Sequence, residues 1–345
     1  MTCSITSVAW TFPGPALAHV KWFAPFNVAE DPKSIGEVLD GTFVIFFLAS
    51  VAAIYGFFAV DRIALRRGLL APLDERLKRL DDFAILILRL SAAIFFTATW
   101  GWHQAYGTAF YITPELKTDA AFVPWLQLCL GICALFRICL PVVGLGIFSL
   151  YGMALAKYGL FHLLDYLIFL GLGYFFTVTN IRRGAWRRSG FVVLYAATGL
   201  TLTWAAIEKF AYPQWSYALL QSHHDMLMGM QVENYMTLAG FLEFTLAFIL
   251  LGAASIFGRA VALGMQMIFM LAIMKFGLLD AIGHLMIIAI LLVLVVRGPT
   301  RSRDILVLGE KSVGMEAYFM TGLYFLAFGM MFIAYYGLHY VFYHT

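Results

Sequence analysis

The chain has 345 residues, of which 62% are hydrophobic and only 12% charged, with a mean hydropathy of +0.84. That much apolar surface excludes a water-soluble globule, and the class it defines is the integral membrane protein. A net charge of +3, scattered over loops, excludes nucleic acid as a partner and leaves the lipid bilayer.

A helix needs about 20 apolar residues to cross a hydrocarbon core of about 30 Å, and a barrel strand about ten. The apolar stretches here have the helical length, so the expected class is all-α and polytopic. In chain order, an N-terminal arm (1–40) has neither the basic region nor the cleavage site of a signal peptide, so the first span is expected to be retained. That span, 41–60, and a basic loop occupy 41–82. A first four-span unit follows in 83–189, with spans at 83–104, 122–136, 139–156 and 159–180. A second occupies 190–300, with spans at 190–210, 234–257, 260–275 and 278–296. The last span, 316–341, lies in 301–345 and makes about ten in all.

The connections are unequal in charge. Sixteen Lys and Arg fall at one side, in 61–82, at Arg137, in 181–189, at Arg259 and in 297–314; six, Lys21, Lys33, Lys117, Lys157, Lys209 and Lys275, fall at the other. Cytoplasmic loops carry the excess. Both termini are therefore expected outside, in the periplasm if the membrane is a bacterial inner one. With this topology all eight histidines (19, 103, 162, 223, 224, 284, 339 and 344) lie toward the outer face.

The middle of the chain occurs twice. "WGWHQAY" (100–106) ends the second span as "AAIEKFAY" (205–212) ends the sixth; "LFR" stops at Arg137 and "IFGR" at Arg259. "KYGLFHLLDYLIFLGLGYFF" (157–176) answers "KFGLLDAIGHLMIIAILLVL" (275–294). Four spans per unit is an even number, so the copies are parallel, unlike the inverted repeats of many transporters.

"GFLEFTLAFILLGAASIFGRAVALGMQM" (240–267) resembles the DoxX/DoxD type of four-helix membrane domain: a glutamate in a glycine-rich span, Leu-Leu-Gly, an arginine at the inner turn, then an aliphatic span. Glu243, Gly252 and Arg259 match that pattern. The fold implied is two parallel four-helix DoxX-like bundles with one flanking helix at each end. Family members include the small subunit of a thiosulfate:quinone oxidoreductase, so the resemblance implies membrane redox chemistry. Two fused units and two extra spans depart from the usual single unit.

Several groups could carry chemistry. His162 and Asp165 stand three apart, Asp280 and His284 four apart, so each pair shares a helix face. A histidine beside a carboxylate suits a proton relay or a quinone headgroup, and equally a hydrogen-bonded clasp between helices. Glu243, near mid-span, joins these four as a candidate catalytic residue. Trp100, Trp102 and His103, with Glu208 and Lys209 at the matching place in the second copy, are candidates for cofactor binding or for interface anchoring. In "QSHHDMLMGMQVEN" (221–234), His223, His224, Asp225, Met226 and Met228 form either a copper site or a polar lid over the outer face. Haem held by two histidines has no supporting motif and is disfavoured. No CxxC is present among the cysteines. The expected function is the membrane subunit of a quinone-linked redox system at the outer face, docking a periplasmic or membrane redox partner; the alternatives are a carrier of copper or a small solute, and a scaffold subunit. Whether the chain is itself an oxidoreductase stays open.

Overall fold

The computed structural model describes residues 20–181, 184–298 and 311–344, and these are almost wholly helical. Ten helices cross the long axis: α1 Gly41–Arg67, α2 Ala84–Tyr106, α3 Val123–Ala134, α4 Leu140–Tyr158, α5 Leu160–Thr179, α6 Gly184–Ala211, α7 Val232–Gly252, α8 Ile256–Phe276, α9 Leu278–Arg297 and α10 Val313–Tyr343. Among the described residues nine are long and apolar enough to cross a membrane; α3 is the exception. The protein is therefore a polytopic integral membrane protein of about ten helices.

Local signals set the helix ends. Asp40 caps α1 by accepting from the Phe43 amide at 2.7 Å, and Ser312 caps α10 through the Met315 amide at 3.2 Å. The sharpest junctions are α4–α5 and α8–α9, each turned on a single glycine. Gly159 (φ 81°, ψ 164°) and Gly277 (φ 81°, ψ −153°) both lie in a region essentially closed to other residues. The two junctions thus share a glycine with the same φ.

The short helix α3 has a cause. The residues before it turn back as a two-stranded hairpin, β1 Ala109–Phe110 against β2 Lys117–Thr118, with Phe110, Ile112 and Leu116 buried. The Gln127 side chain of α3 donates to the Phe110 and Tyr111 carbonyls at 2.7 and 2.9 Å, fixing the hairpin over the bundle.

Helices α2 to α9 pack on one another in chain order, and α9 closes on α2. The last helix of each unit therefore lies against the first of the other, α5 on α6 and α9 on α2, so the two units share one ring. The flanking helices α1 and α10 pair with each other and lie on α6 and α7. Residues 28–33 are tied to the end of the bundle where α6 and α10 finish. Lys33 donates its amide to the Ala211 carbonyl (2.8 Å), Tyr212 its hydroxyl to Glu30 (2.7 Å), and Tyr336 its hydroxyl to Lys33 (2.9 Å). We call this the arm end and the opposite one the basic end.

At the basic end charge is buried against backbone. Asp61 of α1, wholly buried, accepts from the Ala254 and Ser255 amides (3.1 and 3.0 Å) and the Ser255 hydroxyl (2.6 Å), capping the break between α7 and α8. Arg62 and Arg66 join Asp61 to Glu316 of α10. Arg259, expected as a topological charge, donates to the last carbonyls of α9, Val295 (2.6 Å), Val296 (2.7 Å) and Arg297 (3.2 Å), while pairing with Asp74 at 2.8 Å. A cation there satisfies carbonyls that the helix leaves open.

Candidate functional site: a buried acid–base cluster at the arm end

The start of α5, the end of α6, the upper half of α7, the start of α9, the hairpin and the arm converge at one place. The hairpin turn, closed by Tyr111 N to Leu116 O (2.9 Å), delivers Glu115 to His162 at 2.6 Å, both buried. The arm delivers Lys21, whose ammonium pairs with Asp165 of α5 and, at 2.5 Å, with Glu208 of α6. Its Nζ also lies 5.3 Å from the Trp215 ring and 5.7 Å from that of Phe26. Burial pushes the Lys21 amine down, but the carboxylates of Asp165, Glu208 and Glu115 push it up by more, and it stays charged. The next residue on α6, Lys209, turns about 100° away from Glu208 and pairs with Glu243 of α7.

One turn into α9, Asp280 is wholly buried, with its carboxylate 3.1 Å from His284 Nδ1. Among the described residues neither Asp280 oxygen has a well-formed hydrogen bond, and Asp165 Oδ1 has none. The His284 ring is covered by Trp22 (4.7 Å) and Phe269 (4.8 Å). Trp22 gets there because residue 283 is glycine: a Cβ on it would meet the indole at 2.0 Å. A cavity of about 90 Å³, room for several waters, lies between these groups. Its polar rim includes Asp165, Glu208, Lys209, Glu243 and His284, and Ile168, Leu202 and Ile287 contribute apolar wall.

Of the residues singled out in the sequence, Asp165, Glu208, Lys209, Glu243 and His284 line this cavity, and His162 and Asp280 stand just behind it. Asp280 and His284 face each other; His162 and Asp165 do not. The chain tightens from α-helix at Leu160–Leu163 to a 3₁₀ turn at Leu164–Tyr166. A 3₁₀ turn keeps i and i+3 on one side, so what separates the two is their partners, His162 going to Glu115 and Asp165 to Lys21. Trp100, Trp102 and His103 are not at the cavity. They end α2 beneath the hairpin, where Trp102 lies 4.1 Å from Tyr106 and Trp100 6.2 Å from Trp125.

The loop residues separate too. Asp225 is held by Lys275 at 2.7 Å, and that hydrogen bond keeps its carboxyl below the usual range. Met226 is buried in a small cluster with Leu220, Leu227, Tyr235 and Met236; Met228 is exposed at a positive φ of 49°. His223 sits against Phe276, with Nδ1 2.9 Å from the Leu219 carbonyl and from the Ser222 hydroxyl, and His224 is exposed. Among the described residues no three His, Cys, Asp or Glu side chains converge as metal ligands.

Three members of the cluster were missed by sequence reasoning: Lys21, Trp22 and Glu115. The available signal was weak, a lysine flanked by aromatics in "VKWFAPF" and a lone acid in "TPELK". Comparison of the chain with protein-family models, characterised proteins and solved structures finds no match.

Proposed function

We propose that this chain is the membrane subunit of a redox system working at the arm end, with quinone as its ligand. The observation that carries the reading is the imbalance of the cluster: five largely buried carboxylates (Glu115, Asp165, Glu208, Glu243, Asp280) stand with two ammonium groups (Lys21, Lys209) and two imidazoles (His162, His284). Even with both imidazoles charged, acceptors exceed cations by one. Burying such an excess is costly, and ionisable groups within a membrane are functional by default.

The residues present fit a planar ring edged by hydrogen-bonding oxygens. Aromatic faces flank His284, apolar side chains wall the cavity, the Lys209 ammonium on its rim is a donor for a quinone oxygen, and the unengaged Asp165 Oδ1 is an acceptor for a hydroxyl of the reduced form. Bound there, quinone supplies two-electron, two-proton chemistry. His284, on the cavity rim, hands protons to and from Asp280, and His162 to and from Glu115. The electrons come from a redox partner docking over the arm end. The excess of Lys and Arg at the basic end supports an extracytoplasmic position for the arm end, with both termini outside and a bacterial inner membrane as location. The resemblance of 240–267 to DoxX/DoxD domains supports the same chemistry.

The test is made on protein purified in mild detergent: quinone extraction, a visible spectrum and elemental analysis for copper and iron on one sample. Co-purified quinone without metal, lost in Asp280→Asn, is the expected result. Stoichiometric copper would turn the reading to metal handling, and an empty protein that accepts no added quinone would leave a scaffold.

A further inference from the structure

The surroundings of Lys21 are those of a receptor for an ammonium ion. Two carboxylates from different units of the repeat, Asp165 and Glu208, accept from its Nζ, and the faces of Trp215 and Phe26 close the other sides at 5.3 and 5.7 Å. Trp215 is itself stacked on Tyr212 at 4.1 Å, and so is held in place. Carboxylates together with aromatic faces are what selects an alkylammonium over a metal cation. Two further observations mark a binding site and not only an internal ion pair. Asp165, 2% exposed, lines the cavity with an oxygen that no described group engages. The occupant also enters from outside the bundle, on an arm segment whose next residue is seated against Gly283 and His284.

We propose that the Asp165–Glu208 pocket is an ammonium-binding site, which Lys21 fills as a tethered ligand and which takes a primary alkylammonium when the arm withdraws. The ligand class is an amine with a short apolar stem. It has two possible sources: the aminoethyl headgroup of a lipid, and a free amine on the arm-end side. The pairing requires N–H donors, so a quaternary ammonium binds less well despite the aromatic walls. This inference does not rest on the quinone reading, since it concerns the cation at the pocket and not the redox ligand.

The full chain carrying Lys21→Ala, in lipid-free detergent, is titrated with n-propylammonium by calorimetry. Tetramethylammonium and sodium at equal ionic strength serve as controls. The expected result is saturable 1:1 binding at least about tenfold tighter than in the unsubstituted protein, or about 1.4 kcal/mol. It should be abolished by adding Asp165→Asn and Glu208→Gln. Repeating the titration in nanodiscs of phosphatidylethanolamine and of phosphatidylcholine separates the sources: loss of propylammonium binding only in the former assigns the lipid headgroup, and equal binding in both assigns a free amine. Gly283→Val, which expels Trp22 and leaves both carboxylates in place, should expose the same site. A folded Lys21→Ala protein that ignores propylammonium, or that binds it no better than the unsubstituted chain, overturns the proposal. Should Lys21→Ala fail to fold, purification in propylammonium restores it if the proposal holds; failure of that rescue, with no binding by Gly283→Val, overturns it as well.

Discussion

The two ends of the bundle bury charge in opposite ways. At the basic end Asp61 and Arg259, besides their ion pairs with Arg62 and Asp74, bond to backbone amides and carbonyls at helix breaks and ends, so each is locked to a position in the fold. At the arm end the buried groups are matched to one another, side chain to side chain, and several oxygens are left over. Charge tied to backbone holds a structure together. Charge tied to other titratable side chains can gain, lose or pass a proton without any helix moving.

That contrast is broken or sharpened most strongly at Asp61. Asp61→Ala takes one of the two carboxylates from buried Arg62 and the side-chain acceptor from the Ala254 and Ser255 amides, and should cost about 3–5 kcal/mol; thermal unfolding in detergent should show a large drop, with loss of monodisperse protein. If Asp61→Ala melted like the unsubstituted chain, the division between the ends would fail. The arm-end counterpart, Asp280→Asn, should shift unfolding by no more than about 1 kcal/mol, since the carboxylate accepts little that an amide cannot replace. It should nevertheless lower quinone retention about tenfold or more, as read by extraction. A fold loss equal to that of Asp61→Ala would make Asp280 a structural residue.

Smaller effects are expected where the arm and the loop meet the bundle. Gly283→Val should drive Trp22 from its place against His284 and speed tryptic cleavage in the arm severalfold, with the helices intact. Unchanged cleavage would mean that the indole is not held there. Smallest of all is the tether of loop 221–230. The carboxyl of Asp225 is lowered by its bond to Lys275, so the tether is complete above the ordinary carboxylate value of about 4 and is lost as pH falls through the lower folded value. Hydrogen exchange in the loop should rise only in that acid range, and Asp225→Asn should show the fast exchange at neutral pH. As an exposed pair it should leave global stability almost unchanged.

Much of the fold was legible in the residues. Hydrophobic run length found the crossings, and the glycine common to the two matched stretches, Gly159 and Gly277, proves in the structure to be the turn residue of each junction. Most of the cluster was legible for the same reason: a charge inside a long apolar run stands out, as Glu243, Asp280 and His284 do. Its partners were not, because Lys21 and Glu115 lie in segments that look like solvated loops and become buried only when the arm and the hairpin fold over the bundle. Helical spacing also suggested His162 and Asp165 as a pair, but a shared face does not choose a partner: the hairpin brings Glu115 to His162 and the arm brings Lys21 to Asp165.

What the sequence by itself determined is the class and a bundle of about ten helices, because bilayer thickness acts on each segment separately. Only the tertiary structure decided which ionisable groups meet. Those in the arm-end cluster join residues up to 187 positions apart, as from Lys21 to Glu208, and depend on the helices closing into one ring and on an arm reaching into it. No local propensity encodes such a meeting.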